Sequence, residues 1–181
     1  RAEEAALRSS QPDELLALAD RAADVGLDAE ESRRMRHKAL RWQFDRLKEG
    51  SAVASEWLKL SDRVAELLPG AKVPLSPADS EAVNKYRAKP IEAYDLTPRI
   101  RPMADRDLWI DAASRSLLIA AEQSNADLAK LAADAKRLMP DRPEVGRELL
   151  RKWAESEAAR ISALPPASQV RRLADTFENE L

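Results

Sequence analysis

The chain has 181 residues, 34% of them charged, with a net charge of −2 and no cysteine. That length buries the core of one domain or of two small ones. The missing thiols exclude disulfides, thiolate chemistry and Cys-based zinc or iron–sulfur sites, and interspersed, nearly balanced charge gives no general electrostatic case for nucleic acid or a membrane surface.

Ala, Leu, Glu, Asp and Arg dominate, against four Gly, four Trp, two Tyr and two Phe. Such residues cost least in a helix, whereas strands want β-branched and aromatic side chains, so helix is expected throughout. No apolar run approaches the about 18 residues of a membrane span, and no signal peptide is visible. The chain opens on Arg1 rather than Met. That reads as a partial or processed chain and leaves the compartment open.

In chain order, residues 1–9 read as a lead-in. A first helix follows in "PDELLALADRAADVG". Ser10 or Gln11 can cap it, Pro12 suits a first helical position, and Asp13 and Glu14 favour the positive N-terminal end. Leu15, Ala19 and Ala22 form its stripe, and Gly26 is a natural stop. A second helix runs from Asp28, spaced with Glu31 like a capping box, to Gly50. Met35, Ala39 and Trp42 share one face. Leu40, Phe44 and Leu47 share another, roughly 140° away at about 100° per residue. So wide an apolar arc predicts neighbours on two sides. A third helix fits Ala52 to Leu68, ended by Pro69-Gly70.

Residues 69–102 hold six of the eleven prolines. Here the pattern predicts one short helix from Pro77 to about Ala88, capped by Ser76, and a turn or two near Ile91–Tyr94. "LTPRIRPM" reads as mostly extended, because a residue before Pro avoids the α region. Tyr86, Ile91, Tyr94 and Ile100 give this crossover something to bury, which favours packing over a free linker. "DRDLWIDAASRSLLIAAEQSN" then predicts the most buried helix, with only Asp111, Arg115 and Glu122 as a charged strip. Helices over Ala126–Met139, Pro143–Ala163 and Pro166–Asn179 complete the chain. The last carries Val170, Leu173, Ala174 and Phe177 on one stripe, fit to cap the final pair or dock on a neighbouring chain.

The stretch "RLMPDRPEV" joins two of these helices without a glycine. Counting back from Pro140, Ala135, Ala132, Leu128, Ser116 and Trp109 fall on or near the fixed positions of a helix–turn–helix repeat of about 34 residues. The segment resembles the tetratricopeptide repeat, with Ala135 as the strongest match. Ala132, Leu128 and Ser116 stand where Phe or Tyr, Ala, and Gly are usual, and Trp109 lies about one turn before the usual Trp. The opening "LALADRAADVGLDAEESRRMRHKAL" is similar in kind but lacks the closing Pro. The resemblance implies antiparallel helix pairs that present a concave surface to a partner.

Little in the sequence carries catalysis. The one His, His37, sits in "RRMRHK" with no local acid or nucleophile to form a triad. It is expected as a solvated surface residue. One His cannot supply the Glu-x-x-His pairs of a helical di-iron site, calcium loops are absent, and four scattered Gly make no phosphate loop. No catalytic, metal-binding or cofactor-binding residue is assigned, and no cofactor is implied. Two surfaces are candidates for a partner. The first is a basic ridge of Arg34, His37, Lys38, Arg41 and Lys48, suited to an acidic peptide or phosphate groups, although pairing with Glu30 and Glu31 along the helix is the plainer reading. The second is the tryptophan set Trp42, Trp57, Trp109 and Trp153. These are expected in the core as wedges, with Trp153 the one partly exposed.

The expected architecture is all-α, with antiparallel helix hairpins in an α-solenoid-like or irregular helical bundle. N-terminal hairpins span 1–68, a Pro-rich crossover 69–102 and tetratricopeptide-like helices 103–181, together one continuous helical domain. The expected function is a non-catalytic scaffold or adaptor that holds a protein or peptide, not a nucleic acid, on a rigid helical surface. The alternatives are a structural spacer within a longer chain and an all-α enzyme using paired carboxylates, for which no pair stands out.

Overall fold

A computed structural model describes residues 12–24, 26, 28–76, 78–79, 100–166 and 168–169. Among these the fold is all-α, with no strand. Six helices follow in order: α1 (Pro12–Asp24), α2 (Ala29–Glu49), α3 (Ala54–Leu67), α4 (Ile100–Ala120), α5 (Leu128–Leu138) and α6 (Pro143–Ser162). The helix expected from Pro77 to Ala88, the turns near Ile91–Tyr94 and the C-terminal stripe through Phe177 lie outside the described residues. The start of the first of these is visible as Ser76, whose hydroxyl accepts the Asp79 N–H at 3.2 Å.

Local chemistry sets the boundaries. Pro12, Asp13 and Glu14 open α1, and Gly26 ends its turn at φ 75°, a region open to Gly and costly to residues with a Cβ. The Asp28 carboxylate caps α2 by accepting the Glu30 N–H at 3.1 Å. Glu31 is not the return half of a capping box; its carboxylate accepts from Arg34. At the start of α3, Glu56 reaches back to the Val53 N–H at 2.9 Å. Helix α4 begins earlier than expected, at Ile100, so "IRPM" is helical rather than extended. Pro102 is tolerated because a first-turn N–H has no intrahelical acceptor to lose. The helix also stops at Ala120, short of the expected Asn125. Asp127 caps α5 through the Lys130 N–H at 3.0 Å.

The most extensive packing joins α3 to α4, α5 to α6 and α1 to α2, with α2 against α3 as the next largest contact. Helix α2 has the two-sided role its sequence predicts. Met35 and Ala39 close a small core with Leu15, Leu16, Ala19 and Ala22 of α1. Leu40 and Phe44 enter a larger core with Trp57, Leu60 and Val64 of α3 and Leu108, Trp109 and Ile110 of α4. That larger core continues through Ala132, Ala135 and Met139 to Val145 and Leu149 of α6. Phe44 and Trp57 meet edge-on, with centroids 5.1 Å apart. The Arg115 guanidinium covers both rings, so this residue of the expected charged strip is half-buried.

The segment that resembles a tetratricopeptide repeat is divided between two packed pairs. Its first helix, α4, lies chiefly on α3, and its second, α5, lies chiefly on α6. Small residues stand where α5 and α6 cross: a Cβ built on Gly146 would lie 3.7 to 3.9 Å from Lys136, Ala132 and Ala135.

Candidate functional site: a charged hub inside, a tryptophan groove outside

Helix α4 carries three charged residues in a row, Asp105, Arg106 and Asp107, and all three are buried. Successive residues turn by about 100° around a helix, so the three side chains leave in different directions. Isolated buried charges are very costly, and each of these is met by an opposite charge from another element.

Asp105 faces α2. Its Oδ1 lies 2.7 Å from His37 Nδ1, and its Oδ2 accepts from Arg33 Nε at 2.8 Å and Nη2 at 2.7 Å. A carboxylate only accepts, so in this contact His37 donates through Nδ1. His37 is therefore not a solvated surface residue. It is fully buried, turned away from the ridge and bonded to the next helix pair. The sequence misled because its neighbours in "RRMRHK" are cations, which read as a solvated face, although Arg36 and Lys38 are themselves half-buried.

Arg106 faces the loops that follow α3 and α5. Its Nε and Nη2 donate to the two oxygens of Asp141 at 3.1 and 2.7 Å. Nη2 also donates to Leu138 O at 2.8 Å, and Nη1 donates to Lys72 O at 2.9 Å and, more distantly, to Ala71 O. All five guanidinium protons are thus engaged. The planar group lies over the Trp109 ring, 4.8 Å from its centroid. The Trp109 indole N–H is buried and has no acceptor among the described residues; the face of this ring, rather than its polar edge, is what the structure uses. Burial pushes the Asp141 carboxyl up, but the Arg106 hydrogen bond, the Leu75 N–H and the Arg106 charge outweigh it and hold the group below the usual carboxylate range.

Asp107 faces the same α5–α6 loop and binds Arg142 through its Oδ1. Arg142 extends to Asp111, one turn further along α4, at 3.4 Å. The pair Arg106-Asp107 therefore meets the pair Asp141-Arg142 with opposite polarity. The "PDRP" that reads as repeat punctuation is a polar clamp on α4. Two signals for it stand in the sequence: a charged triplet inside the most apolar helix, and a reversed Asp-Arg dipeptide held between two prolines.

The partner candidates on α2 and α6 fall in several environments. Arg34 is held by Glu31 at 3.1 Å. Arg41 reaches Asp45 at 3.4 Å and lies over the Phe44 ring. Lys38 is half-buried, as is Trp153 on α6. With His37 turned inward, these residues do not form one continuous basic ridge. Of the tryptophans, Trp57 and Trp109 are in the core, whereas Trp42 is 38% exposed. Trp42, not Trp153, is the one most open to solvent. It is also the departure from the expected Met35–Ala39–Trp42 face: Met35 and Ala39 are buried against α1, whereas Trp42 is not.

Trp42 borders an open groove of about 700 Å³ where the end of α2 passes the start of α1, with Pro12, Asp45, Arg46, Lys48 and Glu49. A second depression of about 460 Å³ shares Pro12 and Arg46 with it and reaches Lys59 and Arg63 of α3. Among the described residues no three His, Asp or Glu side chains are placed to hold a metal ion, and no helix is long and apolar enough to cross a membrane. No family model, no curated protein and no solved structure matches this chain.

Proposed function

We propose that this chain is a non-catalytic helical module that binds a protein or peptide partner, and that the groove beside Trp42 is where it does so. The observation that carries the reading is the exposure of Trp42 at the rim of that groove, in a chain that buries Trp57 and Trp109. Tryptophan is a frequent anchor of binding energy, and an indole held on a rigid helix loses little freedom when a partner covers it. The interior supports the same reading. The buried acids Asp105, Asp107 and Asp141 each hold a guanidinium of another element, which is the work of joining helices.

The test is capture of partners from the source-cell extract on the immobilised chain, with wild type beside Trp42→Ala. One dominant protein retained by wild type and strongly depleted by the substitution is the expected result. Equal, negligible retention by both would overturn the reading in favour of a spacer.

A further inference from the structure

We propose that the α5–α6 hairpin opens from α4 as a unit, turning about the segment 121–127 and released where Leu138 to Arg142 hold it to the rest of the chain. Helices α5 and α6 pack extensively on each other and only lightly on α4. Their own seam is close, with Gly146 against Ala132 and Ala135. The polar ties from the hairpin to the other described elements gather at its closed end. Asp141 accepts from two nitrogens of Arg106 at 2.7 and 3.1 Å and from the Leu75 N–H at 3.2 Å. Leu138 O accepts from Arg106 at 2.8 Å, and Met139 Sδ accepts from the Ser114 hydroxyl at 3.3 Å. Arg142 donates to Asp107 and Asp111.

The other end of the hairpin differs in character. Glu122, Gln123, Ser124, Asn125 and Asp127, which join α4 to α5, are exposed. The outer part of α6, from 154 to 160, is exposed at every position but Glu157. A polar connection at one end and a compact set of ion pairs at the other make a hinge and a catch. The catch suits release. Buried ions gain little over their separated, hydrated forms, because desolvation offsets attraction. Opening returns Arg106, Asp107, Asp141 and Arg142 to water together, so none is stranded in the interior as it is when one partner is deleted. What resists opening is apolar: Met139 and Leu149 are fully buried in the larger core. The open form is therefore a minor one, hidden beneath a single denaturation curve, and it brings these two side chains to the surface. Helices α1 to α4 keep the packing of α1 on α2, α2 on α3 and α3 on α4.

The experiment is native-state amide hydrogen exchange of the whole chain, read by NMR at increasing urea below the unfolding transition. Released from α4, two helices of 11 and 20 residues keep little protection of their own, so opening registers as exchange. The amides of 132–139 and 145–149 are expected to share one protection level, roughly a hundredfold or more below that of 57–64 and 108–113. Their exchange should rise with urea along a common slope shallower than that of global unfolding. Two variants locate the opening. Phe44→Leu weakens packing of α2 on Trp57, which the open form retains, so it should lower protection of 57–64 by roughly tenfold and leave the hairpin amides unchanged. Asp141→Asn weakens the closed form alone, so it should lower protection of both groups by roughly tenfold or more. The proposal is overturned if hairpin amides share the protection and urea slope of α3 and α4, or fall with them in Phe44→Leu. Hairpin exchange that is fast but indifferent to urea would be fraying of single turns, and would overturn it equally. None of these outcomes bears on the groove beside Trp42.

Discussion

The Arg106 guanidinium has five protons and finds an acceptor for each, with both oxygens of Asp141 among them. Removing one partner of such a pair strands the other in the interior. Arg106→Met is expected to cost about 3–5 kcal/mol, whereas Arg106→Met with Asp141→Leu should recover much of that loss, because two apolar groups need no partner. Urea midpoints of the two variants and wild type decide this. The same pair carries a pH dependence. The Asp141 pKa is lowered from 3.8 in the folded chain, so its contribution is complete above that unfolded value and is lost as pH falls through the lower folded one. The stability gap between wild type and Asp141→Asn should therefore be constant near neutrality and shrink below about pH 4. Surface pairs behave differently. Arg151 bridges Glu148 and Glu155 on the exposed face of α6, where solvent screening leaves little to lose.

Among the helices, the α5–α6 crossing shows how small residues set distance. Gly146 lies mid-helix near the start of α6, at an ordinary contact distance from Ala132 and Ala135 once a methyl is added. Gly146→Ala is expected to stabilise by about 0.5–1 kcal/mol, through helix propensity and a less flexible unfolded chain. Gly70→Ala should go the other way by about 1 kcal/mol, since Gly70 has φ 94° and a Cβ is strained there whatever the space. Thermal melting of the two variants checks both signs. Legibility follows the same line between elements. Helices α1 to α3 can be read to within a few residues, because each has a strong apolar stripe and local caps. The two faces of α2 can be read too, since the arc of Met35–Ala39 and Leu40–Phe44 is visible in the spacing. The start of α4 cannot, because two prolines and a charged triplet imitate a loop followed by a solvated first turn. His37 is hidden for a related reason. Its environment is supplied by Asp105, 68 residues away, and no local pattern encodes that contact. The groove is hidden as well, since Trp42 fits the apolar face of α2 in the sequence and its exposure is a matter of tertiary packing.

In the whole molecule, one core runs from α2 to α6, and the Asp105–Arg106–Asp107 triplet ties α4 to α2, to the end of α3 and to the α5–α6 loop. Residues 1–79 alone keep the small α1–α2 core but leave Trp57, Leu60 and Val64 without α4. That fragment is expected to unfold without a cooperative transition, while the full chain gives one; denaturant titration of both by circular dichroism tests this.

The pairing of α3 with α4 is also a matter of order in time. A chain made from its N-terminus delivers α3 well before the helix that covers it. Between Leu67 and Ala120 lie roughly 50 residues, and synthesis at about 5–20 residues per second spaces the two events by roughly 3–10 seconds. Through that interval the nascent chain carries Trp57, Leu60 and Val64 packed against α2 but without their α4 partners. This is the window in which a ribosome-associated chaperone would find its binding site, and in which a slow stretch of translation between α3 and α4 would lengthen the exposure.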